Sequence, residues 1–232
     1  MSIERLILWR HGLTDWNSAG RFQGQQDVPL APKGIRQAAE AAPYLAAEQP
    51  TAIYSSDLSR AMQTAAALAE LTGMQIHADR RLRETSLGRW EGLDRAEVAA
   101  RFPDELAAWQ RGDEVHRGDG ESAPEVADRA AELLAEIVDQ YDGTVVLVAH
   151  GGTHKALLAR VLGLPEEHWM QLSPLANCRW SELRRGADRS WRLHGHNIGP
   201  LAALEEESTP NVDSDETLST ERPQPAPVPH HR

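Results

Sequence analysis

Two short apolar runs, far apart in the chain, end in the same way. Ile3–Trp9 runs into Arg10-His11-Gly12, and Val145–Ala149 runs into His150-Gly151-Gly152. Compact apolar runs bounded by glycine and polar residues read as strands buried on both faces, the kind found inside parallel sheets. Thr51–Ser55 is a third candidate strand. Between the strands lie helical patterns. Lys33–Ala47 and Asp57–Leu71 are Ala-rich, and Gly73 closes the second as a C-cap. Ser122-Ala-Pro-Glu125 has capping-box spacing with proline in the first turn, and opens a helix to about Gln140. Residues 151–162 follow a Gly-Gly turn as another helix, and Arg179–Leu183 and Ser190–Leu193 read as late edge strands. Strands alternating with helices predict an α/β fold with a mainly parallel sheet. Ligands of such sheets bind beyond the carboxyl ends of the strands, which is where His11 and His150 fall.

The chain has 232 residues, enough for one or two domains, and no internal repeat. One boundary is legible. Residues 204–232 hold five prolines, no aromatic residue, and seven acids against two bases, a net charge of −5 out of −11. Such a segment buries too little surface to offset its ordering entropy. The expectation is a folded domain over 1–203 and an acidic, Pro-rich disordered tail over 204–232, with disorder from about residue 206. The remaining −6 disfavours nucleic acid as a bulk partner, because phosphate backbones need basic surface. A small anionic ligand stays compatible, since a local pocket can be basic on an acidic protein. No apolar run approaches the roughly 20 residues of a membrane span, and no signal sequence precedes the first strand. The single cysteine, Cys178, excludes an internal disulfide and a Cys-based zinc site. The chain reads as cytoplasmic, with no membrane partner.

Arg10-His11 at a strand end sets a permanent cation beside a nucleophile. Attack on a phosphate ester needs that pair: one group to hold the anion, the other to accept the phosphoryl group. An imidazole with an ordinary pKa near 6.5 is available in its neutral, attacking form at neutral pH.

Six segments in order carry a family resemblance. Arg10-His-Gly-x-Thr-x-x-Asn17 is followed by Arg21-Phe-Gln-Gly-Gln-Gln-Asp-Val-Pro-Leu30 and Ser55-Ser-Asp-Leu-Ser-Arg60-Ala-Met-Gln-Thr64. Then come Leu82-Arg-Glu84-Thr-Ser-Leu-Gly-Arg-Trp-Glu-Gly92, Gly118-Asp-Gly-Glu-Ser122, and Val145-Val-Leu-Val-Ala-His150-Gly-Gly152. Together they resemble the histidine phosphatase superfamily, which contains the phosphoglycerate mutases. The resemblance implies a three-layer α/β/α fold with a mainly parallel central sheet, a small phosphorylated metabolite as ligand, no cofactor and no metal. It also implies a homodimer, with no interface legible in the sequence.

The resemblance assigns roles residue by residue. His11 is the nucleophile, and Arg10 and Arg60 clamp phosphoryl oxygens through guanidinium forks. Arg60 falls in the first turn of a helix capped by Ser56 or Asp57, near the positive end of its dipole. His150 donates a hydrogen bond to the developing charge, and Asn17 offers an amide donor. Glu84 protonates the departing alkoxide and then activates water. Gln23 and Gly24 contact substrate or phosphate by side chain and backbone, and Gly151 joins the phosphate site. Covalent catalysis then runs through a phosphohistidine.

Each residue taken singly also has an ordinary reading. Arg60 fits a solvated arginine paired with Asp57, Glu84 a surface carboxylate, His150 a satisfied strand-end histidine, and Asn17 a turn cap. His150 and His154 have a metal-like spacing, but Gly151 stands where the zinc-protease motif needs glutamate. His194 and His196 read as surface residues. Trp90, Trp109, Trp169, Trp180 and Trp191 read as packing, with Trp90 near enough to Glu84 in sequence to line a pocket. Mutases of the family carry Glu-Arg-x-Tyr-Gly at the acid. Here Glu84-Thr-Ser-Leu-Gly stands instead, which favours hydrolysis over mutase chemistry. Arg81-Leu-Arg-Glu84-Thr-x-Leu-Gly-x-Trp90 and Asn177-Cys-Arg-Trp180 resemble the actinobacterial glucosyl-3-phosphoglycerate phosphatases within the family. The alternatives are a cofactor-dependent phosphoglycerate mutase and a silent phospho-ligand-binding pseudophosphatase. The second would require loss of a nucleophile or clamp arginine, and Arg10, His11, Arg60, Glu84 and His150 are all present.

Overall fold

In a computed structural model, residues 2–113 and 115–200 are described. The strands are β1 (Ile3–Arg10), β2 (Pro50–Ser55), β3 (Ile76–Ala78), β4 (Gly143–Ala149), β5 (Trp180–Arg185) and β6 (Trp191–Ile198). The helices are α1 (Asp15–Ser18), α2 (Pro32–Ala47), α3 (Ser59–Thr72), α4 (Arg95–Arg101), α5 (Pro103–Arg111), α6 (Ala123–Ile137) and α7 (Gly151–Val161). The acidic tail assigned from the sequence lies outside the described residues.

The strands form one sheet in the order β3-β2-β4-β1-β5-β6. β3, β2, β4 and β1 run parallel, and β5 and β6 add antiparallel pairs. The two runs singled out in the sequence are therefore neighbours, with Arg10 opposite Ala149 in register. Their side chains alternate between two cores. Leu6, Leu8, Val145 and Leu147 pack with Leu133, Leu134 and Ile137 of α6 and Leu157 of α7. Ile7, Trp9, Val146 and Val148 pack with Ala41 and Leu45 of α2 and Ala65 and Leu68 of α3. Helices on both faces explain why these strands carry no polar alternation, and they complete the three-layer architecture.

A third cluster, Phe22, Leu87, Trp90, Val98, Leu106 and Trp109, joins the α4–α5 segment to the loop after β1. Trp90 belongs there. It is fully buried and its indole N–H donates to Glu105 at 3.1 Å, so it packs under the acid segment and does not line a pocket.

Two boundaries differ from the sequence reading. Of the two late strands, β5 is interior, bonded to both β1 and β6, and β6 is the edge. α3 begins at Ser59, and neither Ser56 nor Asp57 caps it by side chain. Asp27, from the loop after β1, receives the Ser59 N–H and hydroxyl, each at 2.7 Å. Asp57 is held instead by a two-pronged pair with Arg83. Among the described residues no helix is long and apolar enough to cross a membrane.

Candidate active site

β1 and β4 end side by side, so the residues that follow them meet. The rings of His11 and His150 are 5.1 Å apart between centroids, tilted by 60°. His11 Nδ1 lies 2.7 Å from the Gly12 carbonyl oxygen. A carbonyl only accepts, so Nδ1 carries the proton and Nε2 carries the lone pair. Burial first, then the charges of Arg60 and Arg10, hold the His11 pKa well below 6.5 against the opposing pull of the Gly12 carbonyl. The imidazole is therefore neutral at pH 7, in a single tautomer. His150 is depressed for the same reasons, burial first and then Arg60. Neither of its ring nitrogens has a hydrogen-bond partner among the described residues. Buried polar atoms normally find partners, so an unpartnered ring beside His11 marks a place for a ligand.

Arg10 and Arg60 are fully buried, and both of their charges act on His11 and His150. Arg10 Nη1 donates to the Leu175 carbonyl at 2.5 Å. Arg60 donates to the carbonyls of Gln26 at 2.7 Å and Gly24 at 2.8 Å. These carbonyls orient the cation, and the Asp57 carboxylate is taken by Arg83. Asn17 closes a reciprocal cap with Thr14, its Oδ1 accepting the Thr14 N–H at 3.1 Å. That bond fixes the amide orientation, and Nδ2 is buried without a partner among the described residues.

Gln23 and Gly24 adjoin Asn17 and Arg60 through Thr14 and a backbone carbonyl. Gln23 is buried and accepts from the Thr14 hydroxyl, and Gly24 lends its carbonyl to Arg60. Gly151, the first residue of α7, lies against the Arg10 guanidinium: a Cβ there would be 3.4 Å from Cζ. Asn177, noted in the sequence only within a resemblance, donates to the His11 carbonyl at 3.1 Å.

Glu84 reaches the pocket from a loop and is almost fully buried. Its Oε2 accepts the Gly152 N–H at 3.1 Å, and its Oε1 accepts the N–H groups of Thr85 at 2.8 Å and Thr153 at 3.1 Å. The N-terminus of α7 thus seats the carboxylate, as helix N-termini do for anions. Gly152 is required there, since a Cβ would fall 2.6 Å from Glu84 Oε1. The Gly118–Ser122 turn has its use behind this loop. Glu121 accepts the Ser86 N–H and pairs with Arg129, which also donates to the Glu84 carbonyl. Gly152, Thr153, Glu121 and Arg129 were not singled out in the sequence as site residues; only the two motif turns pointed near them.

His154 is buried with Nε2 donating to the Trp9 carbonyl at 3.0 Å, so its spacing from His150 serves packing. No three His, Cys, Asp or Glu side chains gather in metal-binding geometry among the described residues. His196 is half-buried, bonded to Ser181 and Ser173, and His194 is exposed.

Residues 6–199 match the model of the histidine phosphatase superfamily, branch 1. The chain is 44% identical over 221 residues to the glucosyl-3-phosphoglycerate phosphatase of Mycolicibacterium vanbaalenii, covering 88% of this chain and 98% of that one. It is 36% identical over 164 residues to a metal-independent phosphoserine phosphatase of Arabidopsis thaliana, covering 68% and 69% respectively. A mycobacterial glucosyl-3-phosphoglycerate phosphatase solved with VO3 superposes with a TM-score of 0.80 at 43% identity, over 84% of this chain and 100% of that one. The chain belongs to the histidine phosphatase superfamily. It is a phosphoric monoester hydrolase acting on a small phosphorylated metabolite.

Proposed function

We propose that the protein hydrolyses glucosyl-3-phosphoglycerate through a phosphohistidine on His11, without a metal. The observation that carries the chemistry is the His11–Gly12 hydrogen bond, which leaves an Nε2 lone pair in a pocket with two buried guanidinium groups. In the first step Nε2 attacks phosphorus, the bond to the ester oxygen breaks, and Glu84 gives that oxygen a proton. In the second step Glu84 takes a proton from water, the water oxygen bonds to phosphorus, and the P–N bond breaks to release phosphate. Arg10 and Arg60 hold the phosphoryl oxygens throughout. The free Asn17 Nδ2 and the His150 ring donate to the same oxygens, where preorganised donors lower the barrier most. Gly151 lets the α7 backbone approach them. Gln23 fixes Thr14, and through it Asn17, and Gly24 aims Arg60.

The substrate follows the relatives. The mycobacterial and Mycolicibacterium enzymes named for glucosyl-3-phosphoglycerate share more than two fifths of their residues with this chain along nearly their full length. We place the enzyme in the cytoplasm, with no nucleic acid or membrane partner, as its acidic surface favours. The test is phosphate release in EDTA from glucosyl-3-phosphoglycerate, 3-phosphoglycerate and p-nitrophenyl phosphate, with His11→Ala beside the wild type. Release from the first ester above the others, abolished in His11→Ala, is the expected result. Conversion of 3-phosphoglycerate to its 2-isomer with little phosphate release would make the enzyme a mutase instead.

A further inference from the structure

A cavity of about 280 Å³ opens beside the acid, and Thr85 and Gly152, both in contact with Glu84, form part of its wall. It continues along α7. Gly151 and Gly152 line its inner end, and Lys155 lines it one turn further on, about 6 Å along the helix axis from Gly151 at a rise of 1.5 Å per residue. The indoles of Trp109 and Trp169 form nearly buried walls, and Arg117 lies over the Trp109 ring at 5.1 Å. Inside, the Lys155 ammonium approaches the Met170 sulfur at 3.6 Å, a weak acceptor for a cation. The carboxylates of Asp113 and Glu166 stand at the exposed rim.

The charges along this cavity are therefore ordered. Next to Glu84, where the ester oxygen leaves, come neutral backbone groups. One turn further along α7 comes an ammonium beside aromatic walls, where low dielectric strengthens an ion pair. Acids come last, at the mouth, where they repel an anion and accept from hydroxyls. A plain alcohol leaving group has no use for the ammonium. An alcohol bearing a carboxylate a few bonds from the ester oxygen meets it directly, and a polyhydroxy extension of that alcohol reaches the acidic rim.

We propose that this cavity holds the leaving group and that Lys155 sets substrate specificity by pairing with a carboxylate on the leaving alcohol. This rests on the phosphatase reading of the adjoining site. The matched pair for the test is 3-phosphoglycerate and glycerol 3-phosphate, which differ by a carboxylate against a hydroxymethyl group. Wild type, Lys155→Gln and Lys155→Arg are compared by the ratio of kcat/KM for the two esters, with p-nitrophenyl phosphate as a third substrate. Wild type is expected to prefer the carboxylate ester. Lys155→Gln should lower the ratio about tenfold, chiefly through KM, as expected for loss of one charge-assisted hydrogen bond. Lys155→Arg should restore most of it. A wild type without the preference, or a ratio unmoved in Lys155→Gln, overturns the proposal. Phosphate release from none of the three substrates by wild type would instead bring down the phosphatase reading, and this assignment with it.

Discussion

Arg129 holds Glu84 from behind. Its Nη2 donates to the Glu84 carbonyl oxygen at 3.0 Å while its Nη1 takes the Arg81 carbonyl at 2.7 Å. The same guanidinium pairs with Glu121, whose carboxylate receives the Ser86 N–H at 2.8 Å. Burial works to raise the Glu121 pKa, but Arg129 and the Ser86 N–H outweigh it and hold the carboxylate ionised below its usual range. One arginine on α6 therefore fixes the backbone on both sides of the acid. It touches no reacting atom and acts by position.

Replacing Arg129 with methionine should lower kcat about ten- to a hundredfold, the range expected when a catalytic group drifts by an ångström. KM for p-nitrophenyl phosphate should move little, because Arg129 lies behind the loop and away from Arg10 and Arg60, the proposed phosphate clamp. Stability should fall by about 2 kcal/mol from the unpaired Glu121, less than for a wholly buried pair because both side chains keep some solvent contact. The urea midpoints of Arg129→Met and of Arg129→Met/Glu121→Met separate the two effects. The double variant should regain stability but not kcat.

Glu84→Gln tests the acid by its dependence on the leaving group. A carboxamide cannot donate a proton to a departing alkoxide, so kcat for glycerol 3-phosphate should drop by about a hundredfold or more. p-Nitrophenolate leaves without protonation, so the first step with p-nitrophenyl phosphate should be slowed far less. Burst kinetics isolate that step. Equal losses with both esters would remove Glu84 from the acid role.

The two histidines were legible because each ends an apolar strand run and precedes glycine, and parallel pairing brings such ends together. The rest of the site depends on contacts between distant segments. Glu84 is seated by Gly152 and Thr153, and nothing within several residues of Glu84 announces that partner. The cap of α3 is Asp27, 32 residues before Ser59; capping rules look to neighbours, and the neighbouring Asp57 is taken by Arg83. β3 has three residues, none buried, and so no pattern to read. β5 mixes Trp180 and Leu183 with Glu182 and Arg184, which reads as an edge, though it lies between β1 and β6. Arg129 is one charge among several on α6, and no local pattern marks it out.

Gly152→Ala should separate geometry from stability. The added methyl would sit 2.6 Å from Glu84 Oε1 and 2.9 Å from Thr85 Oγ1. The nearest atom belongs to a side chain, which can shift where backbone could not, and alanine gains up to about 1 kcal/mol over glycine inside a helix, offsetting part of the lost hydrogen bonds. The variant should therefore melt within a few degrees of wild type. Its carboxylate, however, loses its seat on the α7 N–H groups, so kcat should fall about ten- to a hundredfold. Calorimetry and turnover on one preparation give both numbers, and unchanged turnover would show that the exact seat does not matter.

The buried histidines make stability depend on pH in a defined direction. Burial, and secondarily the charge of Arg10, lower the His154 pKa from 6.5 to about 4 against the pull of the Trp9 carbonyl. The unfolded chain protonates this ring below about 6.5, while the folded chain resists until about 4. Between those values the unfolded state binds more protons, so stability is full above 6.5 and drains as pH falls through the window. The loss attributable to this residue is about 3 kcal/mol by the low end, at 1.36 kcal/mol per unit. His11 and His150 steepen the wild-type slope in the same sense. His154→Gln keeps an N–H donor for the Trp9 carbonyl and removes the titration. Urea midpoints above and below 6.5 should therefore show a shallower fall in the variant. Parallel falls in the two proteins would mean that the ring is solvated and titrates normally.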